Sequence, residues 1–337
     1  MTAHGAQPRP NYVTPPLVLG MMLGLALAAI TLATIAFGVS KLPALRALQL
    51  LLSPDGSPDS ALVWHVRLPR AALALLVGAN LAIAGVLIQT LTRNPLASPQ
   101  TFGINAGASL AIVLCLIGLP QLSGGGIVWP AFIGAAVVGL AMWGLSVSGT
   151  MNNMTLALAG ISIQLVLAAL VQAILIANNA AEDIVYWLAG SISGGQWGKV
   201  WIILPFTILG AGLALFSGRH FGVLALDETT GLSLGQNARR VGGLAAFLIV
   251  ILAGSAVAVA GPIGFIGLLV PHIIRRLAGG DQLTLIALSA VAGPLLLNTA
   301  DLIGRVAAFP AEIPVGIVTA LIGAPAFLGI LWKQRSR

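Results

Sequence analysis

Side chains able to do chemistry are scarce in this 337-residue sequence: nine Asp or Glu, 16 Lys or Arg, four His and one Cys. Nucleotide hydrolysis needs a glycine-rich loop ending in Gly-Lys-Ser/Thr, whose backbone amides and lysine cradle phosphates. The lysines are Lys41, Lys199 and Lys333, and the one Gly-Lys pair, Gly198-Lys199, runs into Val200 without the upstream glycine. The chain therefore has no means of binding and splitting ATP by itself. Intramembrane catalysis calls for paired aspartates or for a nucleophile set against a base. His272 stands without a Ser or Cys partner and reads as a histidine at a helix end. Cys115 lies in an apolar run and reads as a small buried hydrophobe, neither disulfide nor metal ligand. An ion-coupled carrier needs an ionisable group near mid-bilayer. The one candidate, Asp301, has Arg305 four residues later on the same helix face, where the two pair.

The elements that must position these residues are helices in a membrane. Charged residues make up 7% and hydrophobic residues 58%, against roughly a quarter charged in soluble domains. That excludes a soluble enzyme, a disordered chain and a nucleic-acid partner; the basic residues are scattered through loops and suit membrane lipid instead. No Asp, Glu, Lys or Arg occurs between Arg93 and Glu182, nor from Val241 to Arg275. At about 20 residues per crossing, the first gap alone holds three spans. The spacing predicts an all-α, polytopic chain with about ten spans: Leu17–Val39, Ala71–Leu91, Gly103–Leu119, Ile127–Val147, Met154–Ala177, Val200–Phe216, Val241–Ala260, Gly264–Leu277, Leu283–Ile303 and Ile313–Trp332. The first is too long for a signal-peptide core and reads as retained; the eighth is short and glycine-rich. Glu182–Gly190 reads as a short interfacial helix, with Tyr186 and Trp187 at the headgroup boundary.

The whole of 1–337 forms one transmembrane domain, with a polar tail at 1–16 and a basic tail at 333–337. An even number of spans puts both termini on one side. More of the Lys and Arg then fall in loops on that side, which makes it the cytoplasm. Residues 226–240 stand out between spans six and seven. Asp227 is suited to cap a short helix, Glu228 to favour its positive end, and Gly235 to end it in left-handed geometry. The functional reading is a cytoplasmic coupling helix on which a separate motor pushes.

A series of ordered segments resembles the permease subunits of bacterial ABC importers for vitamin B12, haem and ferric siderophores. They are Arg67-Leu68-Pro69-Arg70, Ala84-Gly85-Val86-Leu87-Ile88-Gln89, Arg93-Asn94-Pro95-Leu96-Ala97-Ser98-Pro99, Trp187-Leu188-Ala189-Gly190-Ser191, Gly261-Pro262-Ile263-Gly264-Phe265-Ile266-Gly267-Leu268 with Pro271-His272, Ala300-Asp301-Leu302, and Glu312-Ile313-Pro314-Val315-Gly316. Of these, Gly261, Pro262, Gly264, Gly267, Pro271 and His272 form the structural motif. The resemblance implies a type II ABC importer permease in a bacterial cytoplasmic membrane. It implies a second permease, identical or related, and two cytoplasmic ATPase subunits that use ATP and Mg, this chain itself binding no cofactor or metal. It also implies a periplasmic or lipid-anchored substrate-binding protein. By position it assigns Asp227, Glu228, Leu232, Gly235 and Asn237 to ATPase coupling. Arg67, Arg70 and Arg305 become outward-facing residues that dock acidic lobes of the binding protein, and Asn152, Asn153, Met154, Ser162 and Gln164 the cytoplasmic gate and pathway. The wording of the second and third segments is nearest the siderophore and ferric-citrate permeases, with haem or B12 as alternatives. A different class of answer is an ion-coupled secondary transporter.

Overall fold

The structure is a computed structural model and describes residues 14–38, 42–119, 128–147, 153–178, 187–225, 237–279 and 281–335. Every regular element among them is helical. In chain order they are α1 (Pro16–Ala36), α2 (Ala44–Leu52), α3 (Pro58–Leu62), a π turn (Val63–Arg67), α4 (Leu68–Leu91), α5 (Ile104–Gly118), α6 (Val128–Val147), α7 (Asn153–Ala177), α8 (Trp197–Phe216), α9 (Gly218–Leu224), α10 (Ala238–Ala260), α11 (Ile266–Ala278), α12 (Gln282–Ala307) and α13 (Val315–Arg335).

A helix stands in each of the ten places expected for a span. Seven are long and apolar enough to cross a membrane: α1, α4 with the turns before it, α6, α7, α8, α10 and α12. In α5 and α13 the apolar stretch is shorter. At 13 residues, α11 reaches about 20 Å, short of a hydrocarbon core of about 30 Å. The backbone ahead of it explains why. Gly261 has φ +70° and Phe265 φ +66°, so the chain breaks helical geometry between α10 and α11. Non-helical backbone at this depth survives only when protein covers it, and Ile263 and Ile266 are buried. Gly261 is needed as well for closeness: a side chain there would collide with the carbonyl oxygen of Trp187.

Pro16, Pro58 and Pro69 sit in first helical turns, where a missing N–H costs nothing. Asn237 and Asp281 cap α10 and α12, accepting from the backbone N–H of Arg240 and Thr284.

Burial separates the helices into a centre and a periphery. In α4 and the turns preceding it, 78% of the apolar window is buried, and in α10 67%; in α1 and α7 the figure is 17%. Helix α4 packs against α8, α10, α11 and α12. Its approach to α11 is so close that a side chain on Gly85 would strike the carbonyl of Gly267. Small residues allow this contact, and dispersion between the backbones holds it where lipid supplies no hydrophobic drive.

Candidate functional site

The start of α4 belongs to a buried knot of charge. Arg70, in the first turn of α4, lies 2.7 Å from Asp301 of α12 and 2.9 Å from Glu312 in the segment leading to α13. Asp301 also pairs with Arg305 at 2.8 Å, the (i, i+4) pair expected from the sequence. Arg67 donates to the carbonyl oxygens of Ile35 and Ala36, both at 2.7 Å. Arg305 donates to those of Thr34 and Phe37 at 3.0 and 2.9 Å. Thus two arginines satisfy the last carbonyls of α1, which have no partner within that helix and carry its negative dipole end.

Arg67, Arg70 and Arg305 are therefore brought together. They are 4, 9 and 4% exposed, and their guanidinium groups are engaged by groups of this chain. The physical reason is desolvation: a guanidinium can leave water only with anions and acceptors around it. Two carboxylates and a helix end supply them here. The knot ties α1, α4, α12 and the approach to α13 at one end of the molecule.

Asp227, Glu228, Leu232 and Gly235 of the coupling segment lie outside the described residues, as does Asn152 of the gate. Asn237 is described and is the N-cap of α10. Asn153 and Met154 open α7. Ser162 is exposed on α7 and turns its hydroxyl back to the carbonyl of Leu158 at 2.8 Å; Gln164 is half-buried. Leu158, Leu165, Val166 and Ile176 of the same helix are more than half exposed, so α7 presents apolar surface.

The structural motif forms a junction around the α10–α11 break. Ser191 N–H donates to the carbonyl of Ala260, and Gly316 N–H to that of Gly190. The segment holding Trp187 thereby joins Gly261 to the start of α13. Pro262 and Gly264 lie in the break, Gly267 and Pro271 inside α11, and His272 beside Pro271 on the wall of a polar cleft. Sequence reasoning missed the ties from Arg67 and Arg305 to α1 and the part played by Glu312. No local pattern signals a side chain reaching a carbonyl more than thirty residues away.

Among the described residues no group of three or more His, Cys, Asp or Glu could hold a metal ion.

The sequence profile of the FecCD transport family matches residues 25–333. The chain is 46% identical over 299 residues to the Fe(3+)-citrate import system permease protein YfmD of Bacillus subtilis, covering 89% of this chain and 90% of that one. It is 39% identical over 292 residues to the Fe(3+) dicitrate transport system permease protein FecC of Escherichia coli, covering 85% and 87%. Among solved structures, a transporter of the metal-chelate ABC type in an inward-facing conformation superposes with a TM-score of 0.81 at 28% identity, covering 94% of this chain and 99% of the other. The chain thus belongs to the FecCD transport family, as a multi-pass membrane permease subunit that leaves nucleotide hydrolysis to a separate partner.

Proposed function

We propose that this permease carries a ferric chelate, ferric citrate foremost, inward across the cytoplasmic membrane by alternating access. The observation that carries this reading is the 46% identity to a ferric-citrate permease over nine-tenths of both chains. A ferric hydroxamate is the second reading, favoured by 38% identity to the iron(3+)-hydroxamate permease FhuB of Bacillus subtilis.

The working assembly is two permeases, two cytoplasmic ATPases and a binding protein outside. The second permease covers the apolar face of α7, so that Ser162 and Gln164 border the path between the copies and Asn152, Asn153 and Met154 stand at its cytoplasmic mouth. Both termini are cytoplasmic, and residues 226–240 take the push of the ATPase. The charge knot then lies at the outer end. Arg67, Arg70 and Arg305 hold that rim in shape for the binding protein rather than reach across to it.

The test is radioiron uptake in a strain stripped of its own ferric-chelate permeases and supplied with this chain, its ATPase and its binding protein. Citrate should support uptake best, and Glu228→Arg should abolish it at unchanged membrane levels. Failure to take up any ferric chelate, or full uptake by Glu228→Arg, would refute the proposal.

A further inference from the structure

Just past the far end of α4, a polar cleft of about 540 Å³ opens between the ends of α4, α9 and α11 and the start of α12. Its wall carries Arg93, His272, Arg275 and Arg276. Arg93 and Arg276 are exposed, while His272 and Arg275 are half-buried. Among the described residues no carboxylate lines this cleft. The nearest in sequence, Asp281, is engaged with Thr284, accepting from its hydroxyl at 2.6 Å and its N–H at 2.9 Å. Arg93 makes one long contact, 3.4 Å to the carbonyl of Leu224, and is held at φ +49°, a left-handed conformation that costs a non-glycine residue about 1 kcal/mol or more.

The neutral groups of the wall add a second requirement. Gln89 is 2% exposed; its Nε2 has only 3.4 Å contacts to the carbonyls of Gly267 and Leu268, and its Oε1 has no partner. Thr90 and Gln282 bond to one another beside it. The cleft therefore presents guanidinium forks that need an anion, and Gln89 in its wall keeps an acceptor, set back behind the cleft surface, that needs a hydroxyl donor. A single carboxylate meets only the first demand and leaves most of the volume unfilled. A phosphodiester bearing a free glycerol meets both, and basic pockets between the ends of membrane helices suit anionic headgroups.

We propose that this cleft binds the headgroup of an anionic glycerophospholipid, its phosphate on Arg93, Arg275 and Arg276 and its hydroxyls toward Gln89. The site makes no use of the permeation path, and the proposal stands whichever chelate is carried.

The experiment measures lipid binding to the full-length chain in detergent, by native mass spectrometry and by shift of unfolding temperature. The probes are phosphatidylglycerol, phosphatidylcholine and glycerol 3-phosphate. Phosphatidylglycerol should bind at least about tenfold more tightly than phosphatidylcholine. R275Q/R276Q should lose about tenfold of that affinity, R275K/R276K less, and R46Q, which removes a charge on α2 away from the cleft, almost none. Glycerol 3-phosphate competing at low concentration would support the same site with a soluble phosphate as its source. Binding of both lipids alike, or equal losses in the cleft and control variants, would overturn the proposal. So would a lysine pair no better than the glutamine pair in a monodisperse protein. Phosphatidylglycerol being expelled when the ATPase docks, with that docking lost in R275Q/R276Q, would overturn it too by assigning the cleft to acidic side chains of the partner.

Discussion

Helix α4 starts in one cluster of arginines and runs out into another, and the two clusters are built differently. At its first turn Arg70 is 9% exposed and shared between Asp301 and Glu312, while Arg67 and Arg305 close the end of α1. Past its last turn Arg93, Arg275 and Arg276 surround a cleft that, among the described residues, no carboxylate lines. The first arrangement spends its charge inside the chain and fixes where helices sit. The second keeps charge available to something else. Arginine alone does not mark a docking site; what decides is whether acceptors of the same chain already occupy the fork.

The contrast is broken most severely at Asp301. Asp301→Ala leaves Arg70 and Arg305 buried with a shared anion gone, and removing one partner of a buried ion pair costs about 3–5 kcal/mol. Unfolding in detergent should register a loss of that size, with Arg70→Ala similar. A loss below about 1 kcal/mol would show the knot to be wet and weak. Next comes the contact that spaces the two ends. Gly85→Val places a side chain on the carbonyl of Gly267, and overpacking of this kind costs about 1–3 kcal/mol or more; the same assay measures it.

A smaller effect is expected at Asp281. Its carboxylate is held below the ordinary value of 3.8, chiefly by the hydrogen bond from the Thr284 hydroxyl and then by the backbone N–H of Thr284. Asp281→Ala should cost about 1 kcal/mol at neutral pH, as loss of a helix cap does. Because the folded-state value is depressed, this contribution is present above pH 3.8 and disappears as pH falls through the folded value. Wild type and variant should therefore converge in acid. The smallest change is expected in R275Q/R276Q, whose unfolding without lipid should stay within about 0.5 kcal/mol of wild type. That result separates an open cleft from a structural knot; a loss like that of Asp301→Ala would erase the distinction.

Much of the architecture was legible because a membrane imposes it. Long stretches without charge located every span-like helix, including the short one after Gly261, and the spacing of Asp301 and Arg305 located one ion pair. What escaped has physical reasons. Helix α2 is amphipathic and buries only Ala47 and Leu50, a weak signal beside the runs that flank it. Arg70 and Asp301 stand 231 residues apart, so nothing local joins them. The sequence already offered Asp301 to the Arg305 fork, but Glu312 and the end of α1 come within reach of Arg70, Arg67 and Arg305 only when the helices pack.

A permease of this kind moves its cargo only when a separate ATPase works it. The most direct measurement is chelate accumulation in sealed vesicles holding either the complete importer or this chain alone, with ATP or with a proton gradient as the energy source. The account predicts accumulation by the complete importer with ATP, and none by the isolated chain under either condition. Accumulation by the isolated chain on the gradient would contradict it.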